Sequence, residues 1–417
     1  MTSADQSLLR PTSIVVDAPP EPPAGDAVTP ETKTKMRSIS KPKLKFVAGG
    51  RSRSGSTLVG LDIQPGYVTA VQARVNGSIL VQRAAGAPLP PDTVREGEVL
   101  DGVALTTTLR EMFRDSRMDK RVRIGVANQR TVLRTLELPP ITDRKELATA
   151  VRFQAEDQVP MPLDNAVLDF HALGVIDTPA GPRQRVIVVA AQRDMIERLL
   201  AAVRAAGLRP EGVDLSAFAL IRSLHRLDEE HAGRVLYLNV GGLTNMAIAE
   251  GALCRFTRVV GGGLESMAAD VAERNGVKLQ DARDLLASVD LDETPTPPPL
   301  EPAESAESAE HEEWSATKEP STIDVRPVLA AGVREIAGEV RNSLDFHRSQ
   351  DGGGEVTSVV LSGPALQISG FATALQRELR VPVVPQTVGL LEEGSAGSVP
   401  AELLAISAGL AVEEAPR

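Results

Sequence analysis

The chain has 417 residues, 42% of them hydrophobic and 24% charged, which is enough apolar material for two or more lobes with substantial cores. A formal net charge of -11 argues against a general nucleic-acid binder, though a local basic patch can still bind anions, and a 3% aromatic content leaves little for stacking against bases or sugars. Cys254 is the single cysteine, so an intrachain disulfide and a cysteine-rich zinc site are both excluded; its apolar run Ala252–Phe256 marks a buried structural thiol.

Residues 1–54 mix Pro, Ser, Thr, Gly and charge without a sustained helix or strand period and are expected to be disordered. Lys33–Arg53 carries eight basic residues and no acidic one, which suits either a solubilising tail or a docking arm for an anionic surface. The N-terminus has no apolar run of the kind a signal sequence needs, and nothing elsewhere approaches the roughly 20 apolar residues that cross a bilayer.

Residues 55–132 open with the strands Leu58–Ile63 and Tyr67–Val75, and Asn76-Gly77 supplies a two-residue hairpin turn into Ile79–Gln82. A helix over Leu105–Phe113 and a strand over Val122–Ala127 follow. Residues 133–191 read as a small inserted unit: strand Leu133–Leu138, helix Asp143–Gln158 with Thr142 as N-cap, and strands Val167–Leu173 and Arg185–Ala191. Over 192–230 the chain returns to the first lobe with a helix starting at Asp194, Glu197 in a capping-box position and Gly207 at its end.

Residues 231–289 repeat the opening theme: strand Leu236–Val240, a Gly241-Gly242 turn, strand Asn245–Glu250, a turn at Gly251, strand Ala252–Thr257. An internal duplication of this kind decides the fold class more than any single motif. Residues 290–324 form an acidic, Pro- and Glu-rich insertion in which Trp314 is either a partner anchor or a loose loop residue. Residues 325–417 complete the second lobe with a helix over Val328–Leu344, strand Val356–Leu361, helix Phe371–Leu379 and strand Val381–Val384.

Three glycine turns carry the functional signal: Gly60-Leu61-Asp62-Ile63-Gln64-Pro65-Gly66, Leu238-Asn239-Val240-Gly241-Gly242-Leu243-Thr244-Asn245, and Leu361-Ser362-Gly363-Pro364-Ala365-Leu366. Such turns let a backbone approach phosphate, and a neighbouring carboxylate can hold Mg²⁺. One turn alone is an ordinary hairpin, but their order on a duplicated frame resembles the actin-like ATPase superfamily (a ribonuclease H-like duplicated α/β fold with a small inserted subdomain). Within it the sequence resembles the PilM family of type IV pilus assembly proteins, relatives of FtsA. The resemblance also covers Phe153-Gln154-Ala155-Glu156, Val159-Pro160-Met161-Pro162, Val213-Asp214-Leu215, the triple glycine near Phe256–Leu264, and Glu339–Phe346.

That resemblance implies an ATP and Mg²⁺ cleft between two lobes. It places Asp62 at the metal, Gly60 and Gly66 in the first phosphate turn, and Asn239, Gly241, Gly242 and Thr244 in the second. Gly261, Gly262, Gly263 and Glu265 line the cleft, Lys278 and Arg283 flank the base, and Gly363 approaches the adenosine. Three departures weaken the grip. Pro65 has no N–H, in a turn that usually runs Asp-Ile-Gly-Ser/Thr-Ser. Asn239 stands where a carboxylate is usual, and Pro364 follows Gly363 where a second glycine is common. No catalytic residue is assigned and efficient hydrolysis is not expected, while nucleotide binding and a vestigial cleft both remain open.

The resemblance further implies a cytoplasmic scaffold, peripheral at the inner membrane, that binds the N-terminal cytoplasmic peptide of a PilN-like inner-membrane protein and links to the pilus assembly motors, with self-association as a further expectation. The resemblance places the peptide groove at about 133–191 with contributions from the adjoining lobe, and Val151, Phe153 and Val159 suit either its wall or the core; Arg152 and Arg185 suit acidic partner groups or solvent. Two alternatives stand beside it. One is an active phosphotransferase or ATPase, for which Asp214 is the candidate base. The other is an FtsA-like membrane-associated filament former, which the acidic ending Glu413-Glu414 disfavours.

Overall fold

The computed structural model describes residues 58–76, 78–179, 181–226, 233–292, 323–350, 352–392 and 394–413, together with the backbone of 14–15 and 45–46. Most of the N-terminal tail, Gly77 of the hairpin, Trp314 and most of the acidic insertion therefore lie outside the described residues. In chain order the first half comprises β1 (Ile14–Val15), β2 (Lys45–Phe46), β3 (Val59–Gln64), β4 (Tyr67–Asn76), β5 (Ser78–Pro88), β6 (Val94–Arg95), β7 (Glu98–Val99), α1 (Gly102–Ser116), β8 (Arg121–Val126), β9 (Val132–Leu138), α2 (Arg144–Gln158), β10 (Ala166–Thr178), β11 (Gly181–Gln192), α3 (Arg193–Ala205), β12 (Arg209–Leu215) and α4 (Ser216–Leu224). The second half comprises β13 (Arg234–Val240), β14 (Thr244–Glu250), β15 (Leu253–Val260), α5 (Leu264–Asn275), α6 (Leu279–Ala287), α7 (Arg326–Ser349), β16 (Ser358–Ser362), α8 (Phe371–Leu379), β17 (Val383–Pro385), β18 (Gly389–Leu390) and α9 (Ala405–Leu410).

Two sheets repeat one plan. The first contains β5-β4-β3-β8-β12, with β18 beyond β5 and the short β1 and β2 beyond β12; the second runs β15-β14-β13-β16-β17. In both, the first three strands are antiparallel and the last two join in parallel. The parallel joins require crossovers, which the helices supply. One apolar core packs α1 and α3 on the first sheet, with Leu105, Leu109, Ile196 and Val203 inside. Another packs α5, α6, α7 and α8 on the second.

A third core joins the halves. Helices α4 and α9 lie in it with Val71, Ile79 and Val81 from the first sheet and Val235, Tyr237 and Val360 from the second. Close approach depends on glycine. A Cβ on Gly60 would overlap the Ser407 carbonyl oxygen, and one on Gly409 would overlap the Ala219 carbonyl oxygen. Gly60 is therefore a helix-packing position under α9, not part of a phosphate turn.

The small unit is a separate three-stranded antiparallel sheet, β10-β11-β9, backed on one face by α2. Asp143 caps α2, accepting from the Lys145 and Glu146 amides, in place of the expected Thr142. Helix α3 starts one residue early at Arg193, and its N-cap Gln192 makes no side-chain cap bond, so the expected capping box does not form.

The packing yields a paired prediction. Gly409→Ala forces backbone atoms apart and should destabilise the chain by about 1–3 kcal/mol in denaturant unfolding. Gly338→Ala, in α7 with open space around its Cα, should be neutral or stabilise by roughly 0.5–1 kcal/mol.

Candidate functional site

The first turn closes β3 onto β4 through Gln64-Pro65-Gly66-Tyr67, with Gln64 paired to Tyr67 and Gly66 at φ +89°. Pro followed by a positive-φ Gly is the sequence of a type II turn. Asp62 lies beneath it, 2% exposed, and the fully buried Gln64 donates from Nε2 to both Asp62 carboxylate oxygens at 3.1 and 3.3 Å. Burial raises the Asp62 carboxyl to about 7, against the lowering effect of the Gln64 hydrogen bond. Tyr67 is pushed well above its usual value by burial and by Asp62.

The second turn follows β13. Gly241 donates its N–H to Leu243 at 3.0 Å, and the first amide of α5, Leu264, donates to the Gly241 carbonyl at 2.8 Å. Thr244 Oγ1 donates to the Gly262 carbonyl at 2.6 Å, so the triple glycine is tied to this turn. A Cβ on Gly263 would lie 2.6 Å from the Gly241 carbonyl oxygen, and one on Gly261 2.9 Å from Gln129 Nε2. At the third turn Gly363 takes φ +98°, and its Cβ would lie 2.6 Å from the Val240 carbonyl oxygen. Asn239, buried beside it, donates to Ser362 Oγ at 3.1 Å.

Between these turns and α6 lies an interlobe cavity of about 390 Å³, of small-molecule size. Of the residues expected at the nucleotide, Gly66, Gly241, Gly242, Glu265 and Arg283 line it. Gly60, Asp62, Asn239, Thr244, Gly261, Gly262, Gly263, Lys278 and Gly363 do not; Lys278 is exposed at the start of α6. Arg283 grips Glu265 with two hydrogen bonds, 2.9 and 2.5 Å, and also holds Gln280 at 3.1 Å.

The fit to Mg·ATP fails at the phosphate end. The Pro65 carbonyl oxygen sits where a Cβ of Gly242 would be, and the Tyr67 hydroxyl lies 2.6 Å from where a Gly241 Cβ would be. No phosphate lies between turns in such contact. Asp62 is buried and bound by Gln64, and among the described residues no group of three or more His, Cys, Asp or Glu could hold a metal.

A second site lies on the small sheet's other face. Odd-numbered residues Val167, Asp169 and His171 of β10 and Ile187, Val189 and Ala191 of β11 wall an apolar groove of about 70 Å³. Its far wall is β12 with Phe218 and Arg222 of α4, and its rim is Ala252–Cys254 from the second lobe. Asp169 is buried in it, its carboxyl raised to about 8 chiefly by desolvation. Arg222 is 1% exposed, bonded to Asp214 at 2.5 Å and to the Gly409 carbonyl at 3.0 Å, while its Nη1 has no partner. That ion pair consumes Asp214 as a candidate base. Cys254 is buried with its thiol raised to about 12, as its sequence setting implies.

The three residues that suited either a groove wall or the core are not equivalent. Val151 and Val159 are in the core between α2 and the sheet, whereas Phe153 is 74% exposed on the outer side of α2. Arg152 pairs with Asp164 at 3.0 Å and Arg185 with Glu137 at 3.1 Å, both near the surface. The missed signal was Val186-Ile187-Val188-Val189-Ala190-Ala191. A strand apolar on both faces needs cover on both.

Asp62 gives a pH prediction. Its folded value, about 7, lies above the ordinary 3.8, so the native state holds the proton more tightly. The stability this contributes is full below about pH 4 and is lost as pH rises through 7. Asp62→Asn should therefore gain on the parent between pH 5 and 8, by about 1–3 kcal/mol in denaturant unfolding at the upper end.

Comparison with known proteins agrees with this architecture. The family model of type IV pilus assembly protein PilM matches residues 60–302, more than half of the chain. A solved PilM–PilN type IV pilus biogenesis complex is 24% identical and superposes at TM-score 0.66, covering 85% of this chain and 98% of the matched one. The ethanolamine utilization protein EutJ of Carboxydothermus hydrogenoformans is 14% identical at TM-score 0.48, covering 87% and 92%. MreB5 of Spiroplasma citri bound to AMPPNP is 11% identical at TM-score 0.45, covering 86% and 95%. With its duplicated sheets, its central helices and this match, the chain belongs to the PilM family of type IV pilus assembly proteins and carries the actin-like α/β fold.

Proposed function

We propose that this protein is a scaffold of a type IV pilus or related secretion machine, standing at the inner face of the membrane and binding the N-terminal cytoplasmic peptide of a PilN-like membrane protein. The observation that carries the reading is the apolar groove on the face of the β10-β11-β9 sheet opposite α2. An extended peptide can set apolar side chains against such a face while buried polar groups fix its direction. Asp169 and the unpartnered Nη1 of Arg222 supply two polar points in an otherwise apolar wall. On this reading 133–191 is the partner-binding unit, inserted between the 55–132 and 192–230 parts of the first lobe, and 231–289 with 325–417 is the second lobe.

Attachment to the membrane then goes through the partner; among the described residues no helix is long and apolar enough to cross a bilayer. The superfamily is one of ATP-binding proteins, yet the contact of the first two turns and the sealing of Asp62 argue for a coupling part and against a phosphotransferase.

Calorimetric titration with the N-terminal peptide of a PilN-like protein tests the site. Val189→Lys, which puts a charge into the groove, should weaken binding at least about tenfold. Phe153→Ser, on the other side of α2, should leave it within about twofold. Equal losses from the two changes, or none from Val189→Lys, would move the site off this face.

A further inference from the structure

The residues that would embrace phosphates embrace one another. Pro65 and Tyr67 of the first sheet press on Gly242 and Gly241 of the second, and the place of a Gly66 Cβ lies 2.7 Å from Glu265 Oε2 and 3.1 Å from Arg283 Nη2. Beneath them Gln64 is completely buried on Asp62. Little is left for a polyanion. Pro65 has no N–H, the Gly241 N–H is bonded to Leu243, and the Arg283 charge is matched by Glu265. Asp284 adds a further acidic group to the lining.

We propose that the turn Gln64–Tyr67 is a built-in bridge that takes the place of a Mg·nucleotide between the lobes, so that the groove is formed, and binds its peptide, without nucleotide. The part concerning the peptide rests on the function proposed above. It follows because the groove has walls from both lobes: β10, β11, β12 and α4 on one side and Ala252–Cys254 on the other. A ligand that moved the lobes would move those walls relative to each other. Where the chain supplies the crossing contacts itself, a nucleotide has no difference in affinity between open and closed arrangements to act through.

Two measurements on the full chain decide this. In thermal unfolding, millimolar Mg·ATP should move the midpoint by less than about 1 °C, since a ligand that does not bind the native state cannot stabilise it. In titration, peptide affinity with Mg·ATP and with EDTA should agree within about twofold. A shift of several degrees that EDTA abolishes, or a change in peptide affinity beyond about fivefold, overturns the bridge. If no peptide binds under either condition, the groove reading falls and the melting measurement alone decides the bridge. The double change Gln64→Gly and Pro65→Ser removes the plug and restores an N–H and a hydroxyl. That variant should acquire a Mg·ATP-dependent midpoint shift that the parent lacks, and a variant melting identically with and without Mg·ATP counts against the plug as the cause.

Discussion

Helix α9 can lie in the seam between the two sheets only because the positions around it carry no side chain. Gly60 on β3 lets the strand touch the Ser407 carbonyl, Gly409 on α9 lets it touch Ala219 of α4, and a Cβ on Gly125 of β8 would lie 2.9 Å from Leu410. The small residues of Ala405-Ile406-Ser407-Ala408-Gly409-Leu410 then fill the seam as part of one apolar core. Because the third core is shared by both halves, the relative placement of the turns, the cleft and the groove all depends on it.

Buried charge fixes the same seam in direction. Arg222 of α4 holds Asp214 of β12 and the Gly409 carbonyl, and Arg123 of β8 donates to the Val412 carbonyl at 2.8 Å. A buried pair of this kind contributes little net stability, but removal of one partner leaves an uncompensated charge and is costly. Its effect here is registration: β8, β12, α4 and the end of α9 are bound at fixed points. The same Arg222 presents its unpartnered Nη1 where the groove ends, so the element that locks the seam also forms part of the groove wall.

Cleft and groove thus differ in what has been kept. The cleft retains the glycine turns, but their close approaches serve turn-to-turn packing: Gly263 under Gly241 and Gly363 against Val240. The groove is a narrow apolar space with polar groups buried in its wall.

The duplicated order of strand, glycine turn, strand was legible in the sequence because period-two apolar runs and turn glycines are local signals; β3 and β4, β13 and β14 lie where those runs predict. Also legible are two chemical absences, since Pro65 lacks an N–H in any fold and Asn239 lacks charge. What each glycine does was not legible. Gly60 and Gly66 look alike in one motif, yet one faces α9 and the other faces Glu265, a difference created by elements some 340 and 200 residues away in sequence. The two sides of the small unit were likewise not legible: alternation says that Val151 and Val189 are apolar, but only the stacking of α2 on the even face of β11 puts Val151 in the core and Val189 in the groove wall. Local chemistry determined the elements and the missing charges; long-range packing decided which side of each element is spent on the core and which lines a cavity.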